Sequence, residues 1–348
     1  MKKFGKSNKP EELEVNKDLN IADGSVADSV NSVDSVAAVD NDVKASSENK
    51  ATAASPWKNF KRTGKMTLYT RRFFRRPSAV VGLIMLIILI IFAIFGSAFS
   101  KWSYDDPDFD ALDQPPSSEH WLGTTTGGSD MYAMVVRGLG RSLSIGIVSS
   151  ITITIIAALV GTAISYFEGW FEQVGMWILD MLLIVPSFLL IALFTGAASD
   201  GNDWLWLTFG LTAFGWIGYA RTLRTLTLSL REREYISAAK FEGVSSFRII
   251  VRHLVPNLGS VLIINTVLGV IGAINGETAL SFLGLGIKAP DTSLGTLLKI
   301  GQASVQTSPW IILAPSVVLV LLTFSVQLIG DGLRDAIDPY SKSVGKAE

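Results

Sequence analysis

Apolar residues gather into long blocks along this 348-residue chain instead of recurring at the period of an amphipathic soluble helix or strand. The first block, residues 79–99, carries no charge and, at 1.5 Å rise per residue, is long enough for the roughly 30 Å hydrocarbon core of a bilayer. Five more follow at about 143–167, 176–198, 204–220, 258–276 and 310–330. Backbone groups in lipid must be satisfied within their own segment, so all six are expected to be helices, including the β-branched stretch 151–156 in the second. The fold class predicted is therefore an all-α membrane protein with six transmembrane helices. Pro186 inside the third block predicts a kink or a packing contact. The fourth is short and aromatic-rich, and Trp204, Trp206, Trp216 and Trp310 near block ends read as interfacial anchors.

Polar stretches between the blocks divide into two kinds. Within residues 1–56 no aromatic residue follows Phe4, and Asp, Ser, Asn, Lys and Ala dominate, a composition that cannot bury enough apolar area to offset its ordering entropy. This segment is expected to be a disordered cytoplasmic tail, and no apolar h-region of a signal peptide follows the start. Residues 57–142 then form an amino-terminal module with the first span and an outer loop, and 143–348 a five-helix core. Within the outer loop, 105–119 is acidic and contains Pro107, Pro115 and Pro116, so it is expected to be solvated. The longest connection, 221–257, differs from a plain linker: it reads as amphipathic helix, glycine turn, amphipathic helix. Tyr235, Ala238, Ala239 and Glu242 share one side, and the two alanines would allow close approach of another surface. Gly243 lies where the direction must change. Phe247, Ile250, Val251 and Leu254 then recur on one face, with Arg248 and Arg252 opposite, and Pro256 is expected to end the second helix.

Charge adds an orientation. Lys and Arg number eight in 57–76, seven in 221–257 and three after 331, all on one side, against five in 100–142, 199–203 and 280–309 together. Seven acidic residues lie in 100–142 alone. Positively charged loops resist translocation, so both termini are expected to be cytoplasmic. The eight basic residues before the first span would then anchor topology or, alternatively, meet anionic lipid. Hydrophobic residues make up 49% of the chain and mean hydropathy is +0.39, which a soluble core does not accommodate.

Composition also removes several chemistries. There is no cysteine and there are only two histidines, so thiolate chemistry and a histidine-rich metal site are excluded. His120 and His253 have no partner at ligand spacing, and no nucleophile stands with a base and an orienting group. No GxxxxGK[ST] loop occurs, so no ATP site is expected in this chain. Two carboxylates, Asp180 in the third span and Glu277 in the fifth, stand out because ionisable groups at such depth usually face a protein interior or a wet cavity. Each is a candidate for a pathway or gate, with a hydrogen-bonded structural carboxylate as the alternative and the favoured reading for Asp180.

Tyr235-Ile-Ser-Ala-Ala-Lys-Phe-Glu-Gly243 with His253-Leu-Val-Pro256-Asn257 resembles the EAA loop of ABC importer permeases. Ser237 stands at the motif's glutamate and His253 at its isoleucine. The resemblance extends to His120-Trp-Leu-Gly-Thr-Thr-Thr-Gly-Gly-Ser-Asp130, Arg137-Gly-Leu-Gly-Arg-Ser-Leu143, Glu277-Thr-Ala-Leu-Ser-Phe-Leu-Gly-Leu-Gly286 and Ile329-Gly-Asp-Gly-Leu-Arg-Asp-Ala-Ile-Asp-Pro339, which are similar to segments of the oligopeptide/dipeptide branch and its C-type permease. It implies a pair of permeases forming the pathway, two cytoplasmic ATPases that bind ATP and Mg, and an extracytoplasmic peptide-binding protein, with membrane lipid around them and no nucleic acid. It further implies that Tyr235, Ala238, Ala239, Glu242, Gly243, Arg248, Arg252, His253 and Pro256 belong to the loop that docks on the ATPase; the alternative is an amphipathic hairpin lying on lipid. Short peptides are the substrate so implied; nickel chelates, glutathione or short glycans are alternatives, and a membrane enzyme or signalling protein is the rival class.

Overall fold

The computed structural model describes residues 65–197 and 202–337, so the tail expected over 1–56 lies outside the described residues. Most of those residues are helical, and among them is one isolated antiparallel bridge, between Thr124 and Asp130. A short basic helix α1 (Lys65–Phe73) leads into α2 (Pro77–Phe95), whose first turn holds Pro77, where a missing N–H leaves nothing unpaired. A 3₁₀ turn, Gly96–Phe99, closes it. After the outer segment come α3 (Met131–Phe167), α4 (Gly169–Ile184), α5 (Ser187–Ala197) and α6 (Asp203–Arg231). The long connection contains α7 (Glu234–Phe241), α8 (Ser246–Ile249), a π-helical turn (Ile250–Leu254) and α9 (Val255–Asn257); α10 (Gly259–Phe282), α11 (Leu294–Ala303) and α12 (Trp310–Ile337) complete the chain.

Among the described residues, four helices are long and apolar enough to cross a membrane: α2 with its 3₁₀ turn, α3, α10 and α12. α4 and α5 qualify together but are bent by 69° at Val185-Pro186, far more than a simple kink. There Pro186 cannot extend the ladder, and its carbonyl starts the new helix by accepting from Leu189 N at 3.0 Å. With 29 residues α6 has the length for a crossing, but Asp203, Arg221, Arg224 and Arg231 make its ends polar. α2 exposes Ile84, Ile87, Ile88, Ile91 and Ile94 along one continuous face, a surface that water would not tolerate and lipid does.

α3 is the spine. Its 37 residues span roughly 55 Å at the helical rise, and α2, α4, α6, α10 and α11 all pack against it. The sequence places its start at residue 143, whereas the helix begins at Met131; the boundary between module and core therefore falls inside one helix. Asp130 caps it, accepting from Ala133 N at 2.8 Å, and the charged, glycine-containing stretch 137–141 that looked like a loop lies in its second and third turns. Small residues set the spacing of its neighbours: a Cβ on Gly161 would lie 2.5 Å from the carbonyl oxygen of Ala220 on α6. One apolar cluster joins α3, α4 and α6 through Ala157, Ile164, Leu179 and Leu223. A second joins α2, α3, α10, α11 and α12 through Leu89, Leu139, Ile274, Leu294 and Leu322.

At the basic end, the start of the module meets the end of α12. Arg76 pairs with Asp335 at 2.6 Å and Arg72 donates to the Ala336 carbonyl at 3.4 Å, so cations satisfy a helix C-terminus. At the opposite end, residues 101–130 are not merely a solvated loop. Their side chains are largely exposed, but backbone bonds tie Asp108 to Gly128, Asp113 to Thr125 and Gln114 to Thr124, so the acidic stretch is knitted to the segment before α3.

Candidate functional site

The connection from α6 to α10 folds as a rigid hairpin of short helices. α7 ends where Gly243 adopts φ 74°, a conformation that costs other residues about 1–2 kcal/mol. Val244 N donates to Ala239 O at 3.1 Å and Gly243 N to Lys240 O at 3.1 Å, which together make a Schellman turn. Ile236 and Ala239 point inward, and with Ile249, Ile250 and Leu254 they close over Tyr166 of α3. The Lys240 ammonium sits 4.8 Å from the Tyr166 ring centre. Tyr235 is fixed from the other arm, its hydroxyl accepting from Asn257 Nδ2 at 3.1 Å while the same amide donates to His253 O at 2.7 Å.

Three expectations need correction here. Ala239 is buried against its own chain, because the Schellman turn folds α7 back so that Ala239 meets Val244 and the α8 residues. Phe247 and Val251 are exposed, and the buried stripe is Ile249, Ile250 and Leu254. The π-helical turn is the reason: one extra residue per turn rotates the second arm relative to an ideal α-helix. It also carries the helical run through Pro256 to Asn257, so that the break falls at Leu258.

What faces outward is an apolar and aromatic surface rimmed by charge. Phe241 is 93% exposed and Phe247 73%, with Tyr235 and Val251 also open. Ala238, Glu242, Arg248, Arg252 and Pro256 are exposed beside them, and His253 is half-buried. Exposed aromatics at the turn of a well-packed hairpin mark a contact surface.

Ion pairs lock this hairpin's root to α4. Arg221 of α6 reaches Asp180 at 2.9 Å. One turn on, Arg224 Nε donates to Glu172 at 2.9 Å. Arg231 approaches Glu172 at 3.5 Å and Glu168 at 3.7 Å and donates to the Ser165 carbonyl at 2.5 Å. Asp180 is thus a half-exposed partner in a ladder between helices. Sequence reasoning missed the ladder, having read these arginines only as topology signals; the two glutamates four residues apart at the start of α4 were the available hint.

Glu277 is fully enclosed. It accepts from Ser142 of α3 at 2.9 Å and from Ser281 at 2.7 Å, and Ser142 in turn accepts from Leu294 N at 3.3 Å, the first residue of α11. The carboxylate therefore joins three helices. Nearby, Asp291 holds two cations of α3, Arg137 at 2.8 Å and Arg141 at 2.6 Å. A separate cavity of about 140 Å³ lies where α6 and α10 diverge on either side of α3; Thr154, Tyr219 and Asn265 bring polar groups to it, and Gly269 and Gly272 keep it open.

Similarity to known proteins agrees with this architecture. Residues 131–342 match the family described as binding-protein-dependent transport system inner membrane component, and residues 66–116 match the N-terminal TM domain of oligopeptide transport permease C. The chain belongs to that family: it is a multi-pass membrane component of a multi-subunit ABC transport system and not an enzyme. Among its relatives is the oligopeptide transport system permease protein OppC of Mycobacterium bovis, 48% identical over 280 residues, which are 80% of this chain and 96% of the relative. OppC of Bacillus subtilis is 35% identical over 77% of this chain and 87% of its own length. The dipeptide transport system permease protein DppC of Alkalihalophilus pseudofirmus is 34% identical over 85% and 94%.

Proposed function

We propose that this chain is one of two membrane permeases of an ATP-driven importer of short peptides, seated in the bacterial cytoplasmic membrane with both termini inside. The naming of its relatives as oligopeptide and dipeptide permeases supports the substrate class. The charge asymmetry of the connections supports the orientation. Counting α4 with α5 as one broken crossing and α6 as another, beside the four long apolar helices, yields six crossings.

The outward face of the hairpin carries the mechanistic reading. Phe241 and Phe247 would enter a groove on a cytoplasmic ATPase, with Tyr235, Ala238, Glu242, Arg248, Arg252, His253 and Pro256 around them. Gly243 and the buried Ala239 hold that face rigid. When two ATPases bind ATP and Mg and close, the hairpin moves with its docking surface and pulls α6 directly and α4 through the arginine ladder. Such a movement alters the space between α6 and α10, so the cavity at Tyr219 and Asn265 is this chain's share of the pathway, with a second permease supplying the rest. An extracytoplasmic binding protein would deliver the peptide at the acidic end.

Purification from membranes in mild detergent, with mass spectrometry of the co-purifying chains and peptide-stimulated ATP hydrolysis after reconstitution, tests this reading. Recovery of a second permease, ATPases and a peptide-binding protein, with stimulation by short peptides, supports it. Stimulation by nickel chelates, glutathione or glycans in place of peptides overturns the substrate class, and isolation with an unrelated enzyme overturns the assembly.

A further inference from the structure

A second and larger cavity, of about 510 Å³, lies at the acidic end between the last turns of α2 and the first turns of α3. Its apolar wall is Ala93, Ala133 and Val136, and its polar side is Ser97, Lys101, Trp102 and Arg137. No residue lining it is acidic, although four aspartates lie within 105–110. Two of those carboxylates are turned to other uses: Asp105 accepts from Ser103, and Asp108 faces His120 at 3.5 Å.

The cavity is rich in uncommitted donors. Lys101 is exposed and has no ion-pair partner among the described residues. The Trp102 indole N–H is enclosed and lacks an acceptor, while its ring is held by stacking on His120 with centres 4.8 Å apart. Arg137 is braced over the Tyr104 ring at 4.8 Å and shares the single carboxylate of Asp291 with Arg141, so two guanidinium charges meet one negative charge there. An anion is the species these groups are short of.

Depth identifies its carrier. Ala93 and Ser97 lie in the last two turns of the most apolar span, and Phe95, Phe99 and Trp121 are exposed near them, as aromatic side chains are at the level of lipid headgroups. The cavity thus opens at the membrane–water boundary, with aliphatic surface below and donors above. The geometry points to a binding site for the phosphate headgroup of an anionic phospholipid, with Lys101 and Arg137 as the phosphate donors and one acyl chain along α2. This inference rests on the membrane-spanning reading of α2 and, for its assignment to the outer leaflet, on the proposed orientation.

The test is native mass spectrometry of the purified transport assembly, released from nanodiscs containing phosphatidylglycerol, phosphatidylcholine or an equal mixture. Selective retention of phosphatidylglycerol is expected. Lys101→Gln should weaken retention about fivefold, the factor for one interfacial lysine, and Arg137→Gln, which leaves Arg141 to pair with Asp291, should weaken it as well. Lys299→Gln removes a charge at the same end but outside the cavity and should leave retention unchanged. Retention equal to wild type in both cavity variants, or an equal loss in Lys299→Gln, overturns the site. Displacement of the lipid by millimolar inorganic phosphate overturns the lipid as its ligand. Co-purification of partner subunits, scored in the same spectra, reports separately on the importer reading: selective retention by a chain that brings no transport partners keeps the lipid site and sinks the importer.

Discussion

The carboxylate of Glu277 on α10 accepts a 2.9 Å hydrogen bond from the Ser142 hydroxyl on α3, and neither side chain meets solvent. Ser142 accepts from Leu294 N and Ser281 from Ile287 N, so the pair governs how the outer end of α10 and the start of α11 sit on the spine. Glu277→Ala strands donors in an enclosed site, where each unsatisfied group costs about 1–3 kcal/mol. A clear fall in the detergent melting temperature is expected for Glu277→Ala and a smaller one for Glu277→Gln, which preserves an acceptor. Equal melting of Ala, Gln and wild-type chains would show that the hub does not hold the helices.

Reversing one rung of the ladder should be harmful and reversing both charges should help. Glu172→Arg places three cations together with Arg224 and Arg231, so peptide-stimulated ATP hydrolysis should drop sharply. Glu172→Arg combined with Arg224→Glu should recover part of it, with a coupling of about 0.5–3 kcal/mol in a double-mutant cycle. Additive losses would mean that the rung carries no coupling.

Gly243→Ala forces a side chain into the left-handed region at an estimated 1–2 kcal/mol. Hydrogen–deuterium exchange over residues 234–257 should rise while exchange in α3 stays unchanged, and transport per ATP hydrolysed should fall. Ala239→Trp should be worse, because the indole would displace Val244 and the residues around Leu254.

Phe241→Ala and Phe247→Ala remove side chains that touch little of this chain, so melting should hold within about 0.5 kcal/mol. Co-purification of the ATPases should nevertheless decline. Undiminished recovery with both substitutions present would place the docking surface elsewhere.

Legibility differed between local and long-range features. The apolar blocks were read correctly as helices because an uncharged run such as 79–99 has few stable alternatives in lipid. The turn at Gly243 was legible because the left-handed region is nearly reserved for glycine. The first three turns of α3 were missed because Arg137 and Arg141 look like loop residues until Asp291, about 150 positions away, pairs with both.

Similarly, the face of the hairpin's second arm was misassigned because its period was taken as that of an α-helix, and a π-helical turn is a response to packing that periodicity does not encode. By itself the sequence determined what local chemistry controls: which segments are helical and apolar, which end is basic, and where the chain turns. Only the tertiary structure decided which side of α7 is buried, that Asp180, Glu172 and Glu168 pair with α6, and that Glu277 is enclosed between helices. Those outcomes depend on which groups meet across large separations in sequence, and burial and charge neutralisation are properties of the meeting rather than of either partner alone.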